Sequence, residues 1–452
     1  MSPRAPTSPP PLPAEARPPP RSPLTLVHWD PEDGAFWEET GKRIATRNLW
    51  ISIPALLLSF AVWMVWSVVV VRLPEVGFAF TTDQLFWLAA LPGLSGATLR
   101  IFYAFMVPIF GGRKWTALST ASLLVPAIGM GLAVRDPTTS YGTMLALALL
   151  CGFGGGNFAS SMANISFFFP KARKGTALGL NAGLGNLGVS VMQFLVPLVV
   201  TAGVFGALGG APQQLTRPGG GQIWLQNAGF VWVPFVAVSA IAAFLGMNDI
   251  ASAQASFREQ AVIFGRKHNW LMCWLYLGTF GSFIGYAAGF PLLIKSQFPG
   301  VNPLQYAWLG PLVGAVVRPF GGWLADKLGG AVVTFWNFIV MAAAVAGVLW
   351  FLPSGGSGGS FLGFFACFMV LFLTTGIGNG STFRMIPVIF LTERTRAAAG
   401  KGKDAQEQAI KDANKEAAAV LGFTSAFAAY GGFFIPKSYG TSISLTGGPE
   451  AA

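Results

Sequence analysis

Gly96-Ala97-Thr98-Leu99-Arg100 and Gly314-Ala315-Val316-Val317-Arg318 are two copies of one phrase, and a glycine pair starts eleven residues past each arginine, Gly111-Gly112 and Gly329-Gly330. A second pair of phrases echoes the first: Gly152-x-Gly154-x-Gly156-Asn157 and Gly376-x-Gly378-x-Gly380-Ser381. All four lie inside long apolar runs. A helix crossing a bilayer core needs roughly 20 such residues, and the runs begin near 49–71, 85–110, 115–134, 143–169, 175–203 and 228–247. A polar connection follows, then runs near 270–294, 303–325, 331–352, 361–390 and 417–436. Each pair of phrases is therefore six spans apart, the signature of a duplicated helical bundle. The expected fold is an all-α polytopic transmembrane bundle with a 6+6 pseudo-repeat, in which a twelfth span is not apparent.

Composition agrees with that class. Hydrophobic residues make up 53% of the 452 and charged residues 10%, whereas a soluble domain carries about 25% charged residues. Cys151, Cys273 and Cys367 sit in apolar runs and read as packing residues, without a disulfide framework. The formal charge of +11 reflects topology and requires no nucleic acid. Of the 29 Lys and Arg, twenty-one fall in the N-terminal tail and the even-to-odd connections, five on the opposite side, and Arg100, Arg318 and Arg384 inside spans. By the positive-inside rule the N-terminus is cytoplasmic. The expected organisation is a disordered Pro-rich tail (1–23), an interfacial segment (24–48), a six-helix half (49–247), a central cytoplasmic loop (248–269), a second half (270–436) and a short tail (437–452). The tail has no signal-peptide core.

Arg100 is about 15 Å from the nearer end of its span, too deep to snorkel easily. A cation there costs at least roughly 2.5–3.5 kcal/mol. A buried carboxylate would be the ordinary partner, yet none of the 18 Asp and Glu residues falls in a span interior. Two deep guanidiniums without protein counter-ions imply that the ligand is the counter-ion. A guanidinium presents parallel N–H groups that match a flat oxyanion. Both histidines, His28 and His268, lie outside the spans, and there is no metal-ligand set, cofactor motif or catalytic dyad, so an enzyme is not expected. The glycine runs, including Gly179-x-x-x-Gly183, read mainly as helix packing, with direct ligand contact the alternative.

Residues 152–170, GFGGGNFASSMANISFFFP, and 376–387, GIGNGSTFRMIP, resemble the two nitrate signature segments of the NarK-type nitrate/nitrite porters, and the similarity runs from about Trp29 to Gly448. The resemblance implies the major facilitator fold and nitrate and nitrite as partners in the bacterial cytoplasmic membrane. It also implies a site of two facing arginines, here Arg100 and Arg318, completed by Asn186, Phe158, Tyr276 and Phe280. The signature residues Gly154, Gly156, Asn157, Gly378, Gly380 and Ser381 would serve gating. Gly322 to Lys327 resembles the superfamily's loop motif, and Gly111 to Lys114 resembles a degenerate first copy. Asp326 and Arg113 would then act as conformational latches. Arg384 is close enough to the end of its span to snorkel or to meet Glu393.

Neither histidine nor any carboxylate lies within the spans to carry a proton, which leaves Tyr276 and water as the other conceivable relays. Two arginines about 7 Å apart repel by on the order of 2 kcal/mol at an effective dielectric of about 20, so the loaded carrier should reorient more readily than the empty one. That logic predicts nitrate/nitrite antiport by a monomeric unit working by alternating access. The alternatives are proton-coupled symport, a carrier for another small anion, an anion channel and a nitrate sensor.

Overall fold

The computed structural model describes residues 24–216, 220–251, 261–353 and 359–452. The expected disordered tail lies outside them, as does 252–260 of the central loop. Eleven long helical segments cross the molecule among the described residues. In the first half these are α1 (Lys42–Met64, continued by Trp66–Arg72), α2 (Thr82–Tyr103), α3 (Gly112–Ala121 and Leu124–Ala133), α4 (Tyr141–Leu150 and Gly152–Phe168), α5 (Lys171–Val199) and α6 (Asn227–Phe230 and Trp232–Gly246). The second half holds α7 (Lys267–Tyr276, a π-turn at Leu277–Gly281, then Ser282–Gln297), α8 (Leu309–Leu328), α9 (Gly330–Phe351), α10 (Phe361–Ala397) and α11 (Lys403–Ala429 and Gly431–Thr446). Ten of these segments are long and apolar enough to span a bilayer. The other, α8, carries Arg318, Asp326 and Lys327. Large apolar side chains such as Phe235, Ile241, Trp336 and Trp350 cover the outer surface, which marks a multi-pass membrane protein.

Local chemistry sets the helix ends. Thr81 caps α2 in a reciprocal box with Gln84, and Ser140 and Ser360 accept from the first turns of α4 and α10, each satisfying a donor the helix leaves open. The duplicated glycine pairs make the turns between α2 and α3 and between α8 and α9. Gly111 (φ 87°) and Gly329 (φ 88°) are both left-handed, a conformation that excludes most side chains.

Two ends differ from the hydropathy runs. α1 begins at Lys42, because Ala45, Asn48 and Leu49 face inward while Lys42, Arg43 and Arg47 face out. Asn48 Nδ2 donates to Asn248 Oδ1 (3.0 Å) and the Asn248 backbone N–H donates to Asn48 Oδ1 (2.8 Å) there, tying α1 to the end of α6. α11 begins at Lys403, fourteen residues before its apolar run. Its charged first turns still present Ala409, Ala413 and Glu416 inward, and Glu416 is clasped by Arg266 (2.9 Å) and Arg394.

The ends of the molecule carrying the starts of the odd-numbered helices form one face, here the near face; the α1–α2 connection lies on the far face. On the near face Thr25–Leu26 (β1) pairs in parallel with Asp249–Ile250, joining the first described residues to the end of the first half. The halves meet where α5 packs on α8, α2 on α11 and α1 on α7.

Candidate functional site

Arg100 of α2 is fully buried. Its Nε donates to the Gly155 carbonyl of α4 (2.7 Å) and its Nη1 to the Ser425 carbonyl of α11 (3.0 Å). Its Cζ lies 5.1 Å from the Trp63 ring, 4.7 Å from Phe158 and 5.1 Å from Phe280. Cation–π contacts of this kind offset part of the desolvation of a buried charge. Nη2 is buried without a partner. Arg318 of α8 is also buried; Nη2 donates to the Tyr276 hydroxyl (3.1 Å), Phe383 lies 5.3 Å from Cζ, and Nη1 has no partner. Neither hydrogen-bonds to a carboxylate among the described residues.

An aromatic stack joins the two arginines. Tyr276 lies parallel to Phe280 (5.3 Å, 9°), and Phe280 stacks on Phe158 (6.1 Å, 27°). The structure therefore brings together Arg100, Arg318, Phe158, Phe280 and Tyr276. The π-turn of α7, which starts right after Tyr276 and contains Phe280, is the kind of irregularity often found at functional sites. Asn186 of α5 is buried, and neither its Oδ1 nor its Nδ2 has a partner. It lies on the helix face that also carries Gly175, Gly179, Gly183 and Ser190, spaced three and four residues apart.

That face corrects one expectation. A side-chain carbon at Gly179 or Gly183 would meet nothing within 4 Å, so Gly179-x-x-x-Gly183 is not a packing seam; it borders open space. The signature glycines behave differently. A methyl at Gly154 would lie 2.2 Å from the Ser59 carbonyl, at Gly156 2.8 Å from the Tyr103 ring, at Gly378 2.4 Å from Thr279 and at Gly380 2.1 Å from the Arg318 carbonyl. These four set helix approach. Asn157 reinforces it by donating to Ser59 Oγ (2.8 Å) and the Ser119 carbonyl (3.3 Å), and Ser381 bonds Thr334 at 2.9 Å.

The charged side chains at the near face pair differently from expectation. Arg384 meets Asp326 at 2.6 Å, and Glu393 instead accepts His268 at 2.7 Å. Arg113 bonds Asp249 at 3.2 Å and the Phe244 carbonyl at 2.9 Å, so Asp326 and Arg113 each close a pair within their own half. Packing of α10 against α8 brings Arg384 to Asp326, which sequence distance alone does not reveal.

Sequence reasoning missed Trp63 and Phe383, the rings over Arg100 and Arg318. A signal for Trp63 existed: Phe60-x-x-Trp63 in α1 matches Phe280-x-x-Phe283 in α7, extending the repeat to the first spans.

Polar ties between the halves run outward from the arginines to the far face. They comprise Thr98 with Tyr430 (3.0 Å), Ser190 to the Trp308 carbonyl (2.9 Å), Gln193 to the Ala287 carbonyl (2.8 Å), Lys295 with Glu75 (3.1 Å) and Lys437 with Asp83 (2.5 Å). Near-face ion pairs among the described residues stay within one half.

The profile of the Major Facilitator Superfamily matches residues 53–436. The nitrate/nitrite transporter NarU of Escherichia coli (strain K12) is 55% identical over 429 residues, covering 94% of this chain and 92% of the relative. A probable nitrate/nitrite antiporter of Thermus thermophilus, NarK2, is 44% identical, covering 94% and 91%. A crystal structure of the nucleoside transporter NupG superposes with a TM-score of 0.57 at 11% identity, covering 89% of this chain and 94% of that one, a likeness of fold alone. The relatives are carriers, with no enzyme among them, and this chain belongs to the Major Facilitator Superfamily, within its NarK-type nitrate/nitrite porter family.

Proposed function

We propose that this chain exchanges nitrate for nitrite across the bacterial cytoplasmic membrane by alternating access, as a monomeric unit, with its N-terminus in the cytoplasm. The observation that carries the reading is the pair of buried guanidiniums, each with one η nitrogen unpartnered and neither bonded to a carboxylate among the described residues. A planar oxyanion accepts from both free η nitrogens, and the Asn186 amide supplies a further donor. The flat Tyr276–Phe280–Phe158 stack suits a flat ion. The names of the relatives, nitrate/nitrite transporter and nitrate/nitrite antiporter, agree with this substrate.

The distribution of contacts supports a far face closed around the site and a path open toward the near face. Along α5, Gly175 and Gly179 are exposed, Gly183 is half-buried, and Asn186 and Ser190 are buried. The stripe thus passes from the exposed near-face end to a buried stretch at Asn186, and Ser190 beyond it is closed against the Trp308 carbonyl. With the near face cytoplasmic, this is the inward-facing state. Binding an anion between the arginines relieves their mutual repulsion, so the loaded carrier reorients and the empty one stalls.

Nitrate uptake into vesicles of purified protein tests the reading. Preloaded nitrite should accelerate uptake strongly, and an imposed inward proton gradient should do little. Accumulation into nitrite-free vesicles driven by protons would make the protein a symporter instead. Uptake without acceleration by internal nitrite would indicate a channel, and no movement at all a sensor.

A further inference from the structure

Trp63 is fully buried and held on every side. Its indole Nε1 donates to the Pro92 carbonyl of α2 at 2.6 Å. Phe60 packs edge-on against it at 5.5 Å. The ring occupies a slot between α2 and α4 that exists because two side chains are missing: a carbon on Gly96 would sit 2.5 Å from the indole nitrogen, and one on Gly155 2.6 Å from Cε2. Gly155 thus does two things. Its bare α-carbon admits the indole, and its carbonyl accepts from Arg100 Nε. The guanidinium lies between that carbonyl and the Trp63, Phe158 and Phe280 rings.

The repeat-related arginine lacks this arrangement. Phe283 stands where Trp63 would be and Asn379 where Gly155 would be. Phe283 packs against Gly314, the counterpart of Gly96, while the ring against Arg318 is Phe383, from another helix. A phenyl ring has no N–H to pin it to a carbonyl. Arg318 is held by one hydroxyl and one ring, Arg100 by two carbonyls and three rings.

We infer that Trp63 is a positioning residue for anion recognition: wedged between Gly96 and Gly155 and pinned to Pro92, it fixes the Arg100 fork as the rigid reference of the site, while Arg318 is the arm that adjusts. The inference rests on the proposed two-arginine site for its functional consequence but not for its geometry. Trp63 itself does not touch the anion. It acts by limiting the orientations of Arg100, whose planar donors are useful only when aimed. Its negative ring face stabilises the cation where it stands.

Two arms test this with the full-length carrier. In the first, an arginine-specific dicarbonyl reagent is applied without anion, and modification of each arginine is followed by mass spectrometry. Trp63→Phe should raise the rate at Arg100 about tenfold and leave Arg318 unchanged. In the second, mono-, di- and trifluorotryptophan are placed at position 63 alone, which weakens the ring's hold on a cation while keeping shape and the N–H. The KM for nitrate should climb stepwise with fluorination at constant melting temperature and nearly constant maximal rate. A merely structural tryptophan moves neither readout. Unchanged Arg100 reactivity in Trp63→Phe, or a flat fluorination series in a carrier that transports nitrate, overturns the inference. If Arg100 becomes reactive as expected but the unmodified protein neither binds nor moves nitrate, Trp63 keeps its role and the proposed substrate falls.

Discussion

Removing the two ion pairs that join the halves at the far face should shift the carrier toward a state open on that side. Lys437 and Asp83 are 2.5 Å apart with side chains 19% and 32% exposed; Lys295 and Glu75 are 3.1 Å apart with side chains 38% and 13% exposed. Pairs this accessible to solvent are worth at most about 1 kcal/mol each. Asp83 is solvent-accessible at 32%, and Glu75 keeps Arg72 at 2.6 Å when Lys295 is lost, so neither substitution strands a buried charge. Lys295→Gln with Lys437→Gln therefore removes up to about 2 kcal/mol from the closed state alone, a shift of up to roughly 30-fold in the equilibrium. Ser190 reports it well, because its hydroxyl is buried against the Trp308 carbonyl of the other half. In a chain whose native cysteines Cys151, Cys273 and Cys367 are replaced by alanine, Ser190→Cys should react slowly with a maleimide. It should react 10- to 30-fold faster once both lysines are changed, with each single variant intermediate. A rate within about threefold of the parent, in protein whose melting temperature is unaltered, would refute the assignment of these pairs as the far-face closure.

Three further outcomes are expected. Arg100→Lys or Arg318→Lys should abolish most nitrate uptake although the charge is kept, since an ammonium cannot reproduce the planar fork; near-normal uptake by both removes the pair from the site. Asn186→Ala should fold normally, because the amide makes no protein bond, yet discriminate nitrate from chloride less well, as competitive uptake will reveal. Gly380→Ala should lose about 1–3 kcal/mol to overpacking, given a carbon 2.1 Å from the Arg318 carbonyl; thermal unfolding in detergent measures it, and an unchanged melting temperature contradicts the close approach of α8 and α10.

The one-dimensional sequence determined those features whose signals are themselves one-dimensional. Bilayer thickness imposes a length on each apolar run, so the spans could be counted. Duplication leaves matching phrases in spans six apart, with a glycine pair eleven residues past each arginine, so Arg100 and Arg318 could be matched before any contact was known. Their depth and the lack of carboxylates in the span interiors follow from position and composition. Helix ends were less legible, because an amphipathic turn such as Lys403 to Glu416 is helical by packing while its mean hydropathy resembles a loop. Tertiary structure alone decided the partners. Asp326 takes Arg384 rather than leaving it to Glu393, Arg113 takes Asp249, Trp63 fills the slot that two glycines on different helices leave open, and Gly179 and Gly183 of α5 face open space instead of a neighbour. Each of these depends on how helices distant in the chain are rotated and tilted against one another. Those angles emerge from fitting all the side chains together at once, and no local stretch of sequence carries them.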